Sequence, residues 1–186
     1  MKEKITYKLN KLNLLINIGI ILLLGVFGVL FFLFPSVLVS TIFRNESLIR
    51  FIGGGIGIMS LFLLVGYINL FNKNYGLILS QDGIYNNSNL TNVGIIKWRE
   101  ISKIKVKELK KNKLILIFVK NNKTYYKKMK NPIVRINLWA YNQFYETSFV
   151  IEPKNIDCTF EELEKAIREG YKDYKEREEK STSKPV

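Results

Sequence analysis

No charged residue falls between positions 12 and 43, and 14–34 within that stretch is 21 residues of nearly unbroken Leu, Ile, Val, Phe and Gly. At a rise of about 1.5 Å per residue, such a helix reaches roughly 30 Å, the thickness of a bilayer's hydrocarbon core. A second charge-free run, 51–71, is also 21 residues long. The pattern predicts two transmembrane helices joined by a loop at 35–50. The first run is longer than the roughly 7–15 residues of a signal-peptide core, and no small-x-small site precedes Pro35, so a retained hairpin is expected. The flank at 1–13 carries Lys2, Lys4, Lys8 and Lys11 against Glu3, whereas the loop has only Arg44 and Arg50, offset by Glu46. The positive-inside rule then puts both termini in the cytoplasm and the loop outside. Gly53 and Gly57 lie four apart on one helical face and permit close helix–helix approach. The motif leaves open whether they pack on the first helix or across a homodimer.

Beyond position 71 the pattern changes to short runs of Ile, Val, Tyr and Phe separated by turn residues. Strands are expected at 77–80, 84–85, 94–98, 101–107, 114–120 and 124–127, with Gln81-Asp82-Gly83 as a hairpin turn and 86–92 as a polar loop. In 103–107 the alternation is clean, so Lys103, Lys105 and Lys107 face water while Ile104 and Val106 face a core. The run 114–119 is apolar on both faces and should be central or covered on its second side. A short helix is expected at 132–145 and a strand at 148–151. Thr159 and Glu162 have capping-box spacing, and Phe160, Leu163, Ile167, Tyr171 and Tyr174 then recur on one helical face. Four i,i+4 pairs, Glu161–Lys165, Glu164–Arg168, Asp173–Arg177 and Glu176–Lys180, support a helix of about 20 residues. The domain so defined is 72–180, and 181–186 reads as a disordered tail.

Composition narrows the chemistry. The 186 residues hold 29 Lys+Arg against 16 Asp+Glu, a net charge of +13, with no His and a single Cys. A mean hydropathy of +0.03 beside 24% charged residues reflects the sorting of apolar and charged residues into consecutive blocks. Without His there are no imidazole triads or His-ligated metals, and Cys158 alone makes neither an intramolecular disulfide nor a multi-cysteine cluster. Asp82 suits a turn, Glu100 an ion pair with a nearby Lys, and Glu161 and Glu162 a helix N-terminus. Cys158 has no His to activate it. The expectation is a protein without catalytic, cofactor-binding or metal-ligating residues, and not an enzyme.

Two features remain as candidate binding surfaces. Residues 97–130 hold 13 Lys/Arg against Glu100 and Glu108, net +11 in 34 residues. Lys103, Lys105 and Lys107 there fit a solvated strand surface, attraction to anionic lipid head groups, or an acidic protein partner. Nucleic acid is not expected, because 23 of the 29 basic residues are Lys and no base-reading motif occurs. Trp139, Tyr141, Phe144 and Tyr145 either cap the open end of a barrel or form an interfacial belt on the membrane. Trp98 reads as core.

Gly76-Leu77-Ile78-Leu79, Asp82-Gly83-Ile84 and Gly94-Ile95-Ile96-Lys97-Trp98-Arg99-Glu100-Ile101 together resemble a group of small bacterial membrane proteins with two transmembrane helices followed by a pleckstrin-homology-like (PH-like) domain. The resemblance covers nearly the whole chain and supplies no catalytic residues. It implies an α+β membrane protein: a two-helix transmembrane hairpin followed by a PH-like antiparallel β-barrel or sandwich capped by a C-terminal α-helix. The expected role is a non-enzymatic interaction module at the inner face of the bacterial plasma membrane. Its partners would be the lipid bilayer with its anionic head groups, or an unidentified protein. An immunity-type protein that protects its producer from a secreted toxin or bacteriocin is the alternative. A transporter is disfavoured, because neither span contains a charge.

Overall fold

Helices α1 (Lys11–Leu33) and α2 (Glu46–Phe71) form an antiparallel hairpin in the computed structural model, which describes residues 4–39, 45–109 and 112–182. The chain divides into two compact units, Lys11–Asn72 and the combination of Met1–Asn10 with Lys73–Val186. Each is described by itself.

In the helical unit, α1 and α2 are 23 and 26 residues long, and both are long and apolar enough to cross a membrane. Asn45 caps α2, its side chain accepting from the amides of Ser47 and Leu48 at 2.9 and 3.3 Å. Leu14, Ile21 and Gly28 are the buried residues of α1, spaced seven apart, the repeat of a left-handed helix pair. They meet a seam on α2 that includes Ile49, Gly53 and Ser60. The helices come closest at glycine. A Cβ on Gly28 would lie 2.7 Å from the Gly57 nitrogen and 2.9 Å from the Gly53 carbonyl oxygen. The remaining circumference is apolar and uncovered, with Leu23 61%, Phe51 81% and Leu61 64% exposed. A soluble protein's core helix would bury these side chains, whereas hydrocarbon would solvate them.

The second unit is built on two antiparallel sheets. Strands β1 (Ile5–Lys8), β2 (Tyr75–Leu79), β3 (Gly83–Asn86) and β4 (Ile95–Lys97) make the first in sequential order. Strands β5 (Ile101–Leu109), β6 (Asn112–Val119) and β7 (Phe149–Ile151) make the second. β1 lies in the flank expected only to be cytoplasmic and basic; it pairs Ile5 with Leu79 and Tyr7 with Leu77. The β2–β3 turn closes on Ser80, whose hydroxyl accepts from the amides of Asp82 and Gly83 at 3.3 Å each. Gly83 is required there, because a Cβ would sit 2.1 Å from the Ile96 carbonyl oxygen on β4.

Of the barrel or sandwich expected, a closed barrel is not formed: no strand ladder joins the two sheets among the described residues. The loop at 86–92, expected only to be polar, stands at the edge of the second sheet instead of a strand. Asn86, Asn87, Ser88, Asn89 and Thr91 are all buried. The Asn86 and Asn89 amides donate to the Val150 carbonyl on β7 at 2.9 and 2.7 Å. The Glu152 amide donates to the Ser88 hydroxyl at 2.9 Å, and the Asn155 side chain donates to the Ser88 carbonyl at 2.7 Å. Side chains of this loop therefore occupy the edge of β7 where a neighbouring strand would otherwise pair. The loop also satisfies its own backbone, since Asn86, Asn89 and Asn92 each accept from the amide two residues on, at 2.9, 3.0 and 2.8 Å.

Leu77, Leu79, Ile84, Ile96, Trp98, Ile115, Ile117 and Phe149 fill one core with Leu163 and Ile167 of α5 (Phe160–Thr182). Trp98 is 1% exposed and donates its indole N–H to the Ser80 carbonyl at 2.9 Å. Both halves of the α5 capping box are made, Glu162 N to Thr159 Oγ1 at 3.2 Å and Thr159 N to Glu162 Oε2 at 3.1 Å. Of the side-chain pairs expected along it, Glu164–Arg168 closes at 2.7 Å, whereas Glu161 turns to Lys113 at 3.6 Å. Lys165 and Lys172 pair forward with Glu169 and Glu176 at 3.9 and 3.8 Å. The helix continues through Ser181 and Thr182, where a disordered tail was expected, and 183–186 lie outside the described residues.

The strand expected at 124–127 is instead α3 (Asn122–Lys128). Asn121 caps it, accepting from the Lys123 amide at 3.1 Å, and helical geometry lets both adjacent tyrosines reach polar partners. Tyr125 is buried with its hydroxyl on Glu100, and Tyr126 shares a 2.6 Å bond with Ser148 Oγ. Glu100 therefore takes a phenol as partner where a lysine was expected. Helix α4 (Pro132–Tyr145) spans the expected residues.

Candidate functional site

Helix α4 has an apolar side to bury and a second one that nothing in its unit covers. Asn131 opens it by accepting from the Ile133 amide at 2.9 Å, Pro132 follows where no amide is needed, and Glu146 ends it in the left-handed region at φ 59°. Its inner side places Tyr141 and Tyr145 against Leu114, Leu116 and Val150, on the second face of sheet β5–β7. β6 is thus central and covered on both faces. On the outer side Ile136, Trp139 and Phe144 are 65%, 61% and 73% exposed.

The four aromatics grouped by the sequence are therefore split by the helix. Residues 139 and 141 point about 160° apart, two steps of roughly 100° per residue around the helix. Trp139 faces out, while Tyr141 stacks on Tyr145 at 5.7 Å and donates its hydroxyl to Glu152. Phe144 joins Trp139 outside.

Basic residues lead into this helix. Lys127, Lys128, Lys130 and Arg135 are exposed around the α3–α4 junction. Arg135, Ile136 and Trp139 line a shallow hollow of about 430 Å³ with Tyr126 and Pro132. Lys103 and Lys105 are exposed on β5 and share their sheet face with Phe118 and Leu116, their cross-strand partners. Lys105 lies over the Phe118 ring at 5.3 Å. Lys107 is only half-exposed, a departure from the solvated position expected. Its ammonium sits 4.9 Å over the Tyr145 ring and 3.5 Å from the Phe144 carbonyl, at the C-terminal end of α4 where a cation suits the helix dipole.

A cleft of about 500 Å³ opens on the opposite side of Tyr141, lined among others by Lys113, Tyr145, Glu152, Lys154, Cys158 and Glu161. Its charges are mutually paired: Lys113 with Glu108 and Glu161 at 3.9 and 3.6 Å, and Lys154 with Glu152 at 4.0 Å. Burial pushes the Cys158 thiol up to about 11, with Glu162 and Asp157 adding to the effect. A thiol held protonated at neutral pH is a poor nucleophile. Among the described residues no group of three or more His, Cys, Asp or Glu is placed to hold a metal ion.

Maleimide labelling of Cys158 at pH 7.5 is expected to be at least about a hundredfold slower than that of free cysteine, then to rise about tenfold per pH unit towards pH 10. The sign for stability follows. The protonated thiol is favoured by the fold, so its contribution is complete below the ordinary thiol pKa and is lost as pH rises from there through about 11. Rapid labelling at neutral pH would show an activated thiolate.

Compared with protein-family models, curated proteins and solved structures, the chain has no match. The group of two-span membrane proteins suggested by the sequence motifs therefore has no support from these comparisons, whereas the two long apolar helices followed by a β-rich region are present. The outer side of α4 was only half legible in the sequence. Trp139 and the basic segment that contains the α3 lysines were singled out, but Ile136 was not, and the strand expected at 124–127 concealed that those lysines lie on a helix.

Proposed function

We propose that the helical hairpin crosses the bacterial cytoplasmic membrane and holds the α+β unit at its inner face as a non-enzymatic interaction module. The observation that carries this reading is the way the hairpin is spliced into the unit. β1 ends at Lys8 and α1 begins at Lys11, while α2 ends at Phe71 and β2 begins at Tyr75. β1 and β2 are hydrogen-bonded neighbours in one sheet, so the chain leaves and re-enters the same small structure. An even number of spans meets that requirement, and two apolar helices with uncovered circumferences supply it. The excess of Lys in the flank and in the α+β unit favours the cytoplasmic side.

The order of elements, two antiparallel sheets followed by an amphipathic C-terminal helix, supports a PH-like reading in an opened form, with the asparagine loop standing at the seam a barrel would close by strand pairing. The paired charges of the cleft and the inert Cys158 favour binding over catalysis.

The full chain is expected to resist carbonate extraction. Alkaline phosphatase inserted in the loop near position 40 is expected to be active, and a fluorescent protein fused after position 186 to fold in the cytoplasm. Extraction by carbonate, or an active phosphatase at the C-terminal fusion, would overturn the reading.

A further inference from the structure

We infer that the outer side of α4 is the face on which the α+β unit lies against an anionic lipid leaflet, with Ile136, Trp139 and Phe144 entering the interfacial zone and Lys127, Lys128 and Arg135 facing the head groups. This rests on the reading that the hairpin is inserted in the membrane.

Three observations point to lipid as the occupant. The first is residue type. The inner side of α4 is already packed on β6 and β7, so Ile136, Trp139 and Phe144 are surplus to folding, and at 61–73% exposure they face solvent on a helix that could have carried polar residues there. Trp is the residue that best tolerates the boundary between head groups and acyl chains, and Lys and Arg can lay their apolar stems beside it while their charges stay in water.

The second is charge complementarity. Residues 127–135, which lead into and open α4, hold Lys127, Lys128, Lys130 and Arg135, all exposed, and no acid. The acid nearest the apolar trio in sequence is Glu146, which is exposed at the helix end beyond Phe144. Three of these four cations are lysine. Protein–protein interfaces are depleted in lysine, whereas juxtamembrane lysine clusters suit phosphate-bearing head groups.

The third is the double attachment. The unit joins the hairpin at both 10–11 and 72–73. With the linkers only a few residues long, the effective concentration of leaflet at the unit's surface is high, and a weak surface contact is enough to hold it.

The test uses the full chain reconstituted in vesicles of phosphatidylcholine with or without phosphatidylglycerol. The chain has two tryptophans, and Trp98 is 1% exposed, so quenching reports on Trp139, with Trp139→Phe as the baseline. Brominated acyl chains are expected to quench Trp139 at least about twofold more in anionic than in neutral vesicles, and raised salt to remove the difference. The pair Lys127→Glu and Lys128→Glu is expected to abolish it, with an unchanged thermal melt showing that the fold persists. Ile136→Ser with Phe144→Ser should weaken it by shallower insertion.

Trp139 open to aqueous acrylamide and untouched by brominated lipid, in vesicles whose hairpin resists carbonate, would overturn the docking surface and leave the anchor standing. Shielding of Trp139 that depends on protein concentration in detergent without phospholipid would also overturn it, in favour of self-association. Carbonate extraction would instead remove the anchor on which it rests.

Discussion

Replacing Asn86 and Asn89 together by alanine is expected to destabilise the α+β unit by about 2–5 kcal/mol, because each substitution removes a buried hydrogen-bond donor worth about 1–3 kcal/mol when its partner stays buried. The shared partner is the Val150 carbonyl, on a residue with no exposed surface in β7, which among the described residues pairs with β6 alone. The damage goes further than that carbonyl. Each asparagine oxygen also accepts from a buried amide, Ser88 N for Asn86 and Thr91 N for Asn89, so alanine orphans two donors as well. Since the two side chains serve one acceptor, the double substitution should cost less than the sum of the singles. The measurement is thermal and urea unfolding of the full chain in detergent, followed by Trp98 fluorescence in a Trp139→Phe background. Amide exchange should quicken at Ser88, Thr91 and Glu152 before it does in β6. Asn92→Ala is the control: Asn92 is half-buried and makes no bond to β7 among those described, so its effect should be smaller. If the double variant melted with the wild type, the loop would be a passive connection and the two sheets would be held by their shared core alone.

That loop also shows where the sequence stops being informative. The hairpin was legible because a charge-free run of span length needs no tertiary context to be read. So were α4 and α5, whose starts carry local chemistry: Asn131-Pro132 for one and Thr159 with Glu162 for the other. β1 was not, because four residues, Ile5–Lys8, carry too little pattern without the β2 strand that lies beyond the hairpin. In 124–127 the tyrosines favour a strand by propensity, yet the capping side chain of Asn121 and the partners waiting at Glu100 and Ser148 select a helix. NNSNLTN was legible only as a polar loop. Only the structure reveals that its asparagines satisfy the loop's own amides and the edge of β7, so that a polar segment can be buried at little cost. The candidate surface divided in the same way: the basic segment and Trp139 could be seen in the sequence, while the inward turn of Tyr141 and the partial capture of Lys107 depend on how α4 sits on β6.

Gly53→Leu is expected to force the two apolar helices apart. A Cβ at position 53 would lie 2.7 Å from the Gly28 carbonyl oxygen, from Phe31 Cβ and from the Phe32 nitrogen, and two of these three atoms are backbone that cannot swing away. In hydrocarbon, helices gain no solvent-driven attraction from meeting, so close packing at the small residues is what holds the pair. Two further glycines of the same helix make the contrast sharp. Cβ atoms on Gly55 and Gly57 would meet nothing within 4 Å, and Gly55→Leu should therefore leave the pair intact. The distance is read by crosslinking. An ideal Cβ on Gly25 lies 3.4 Å from Ser60 Cβ, close to disulfide geometry, so Gly25→Cys with Ser60→Cys in a Cys158→Ser background should oxidise readily within one chain. Adding Gly53→Leu should lower that yield by about tenfold, the factor that about 1.4 kcal/mol of lost packing makes in an equilibrium. Adding Gly55→Leu should not change it. A crosslinked product running at twice the chain's mass would place the same glycine seam between two copies, and an undiminished monomeric crosslink in Gly53→Leu would show that the helices are held together elsewhere along their length.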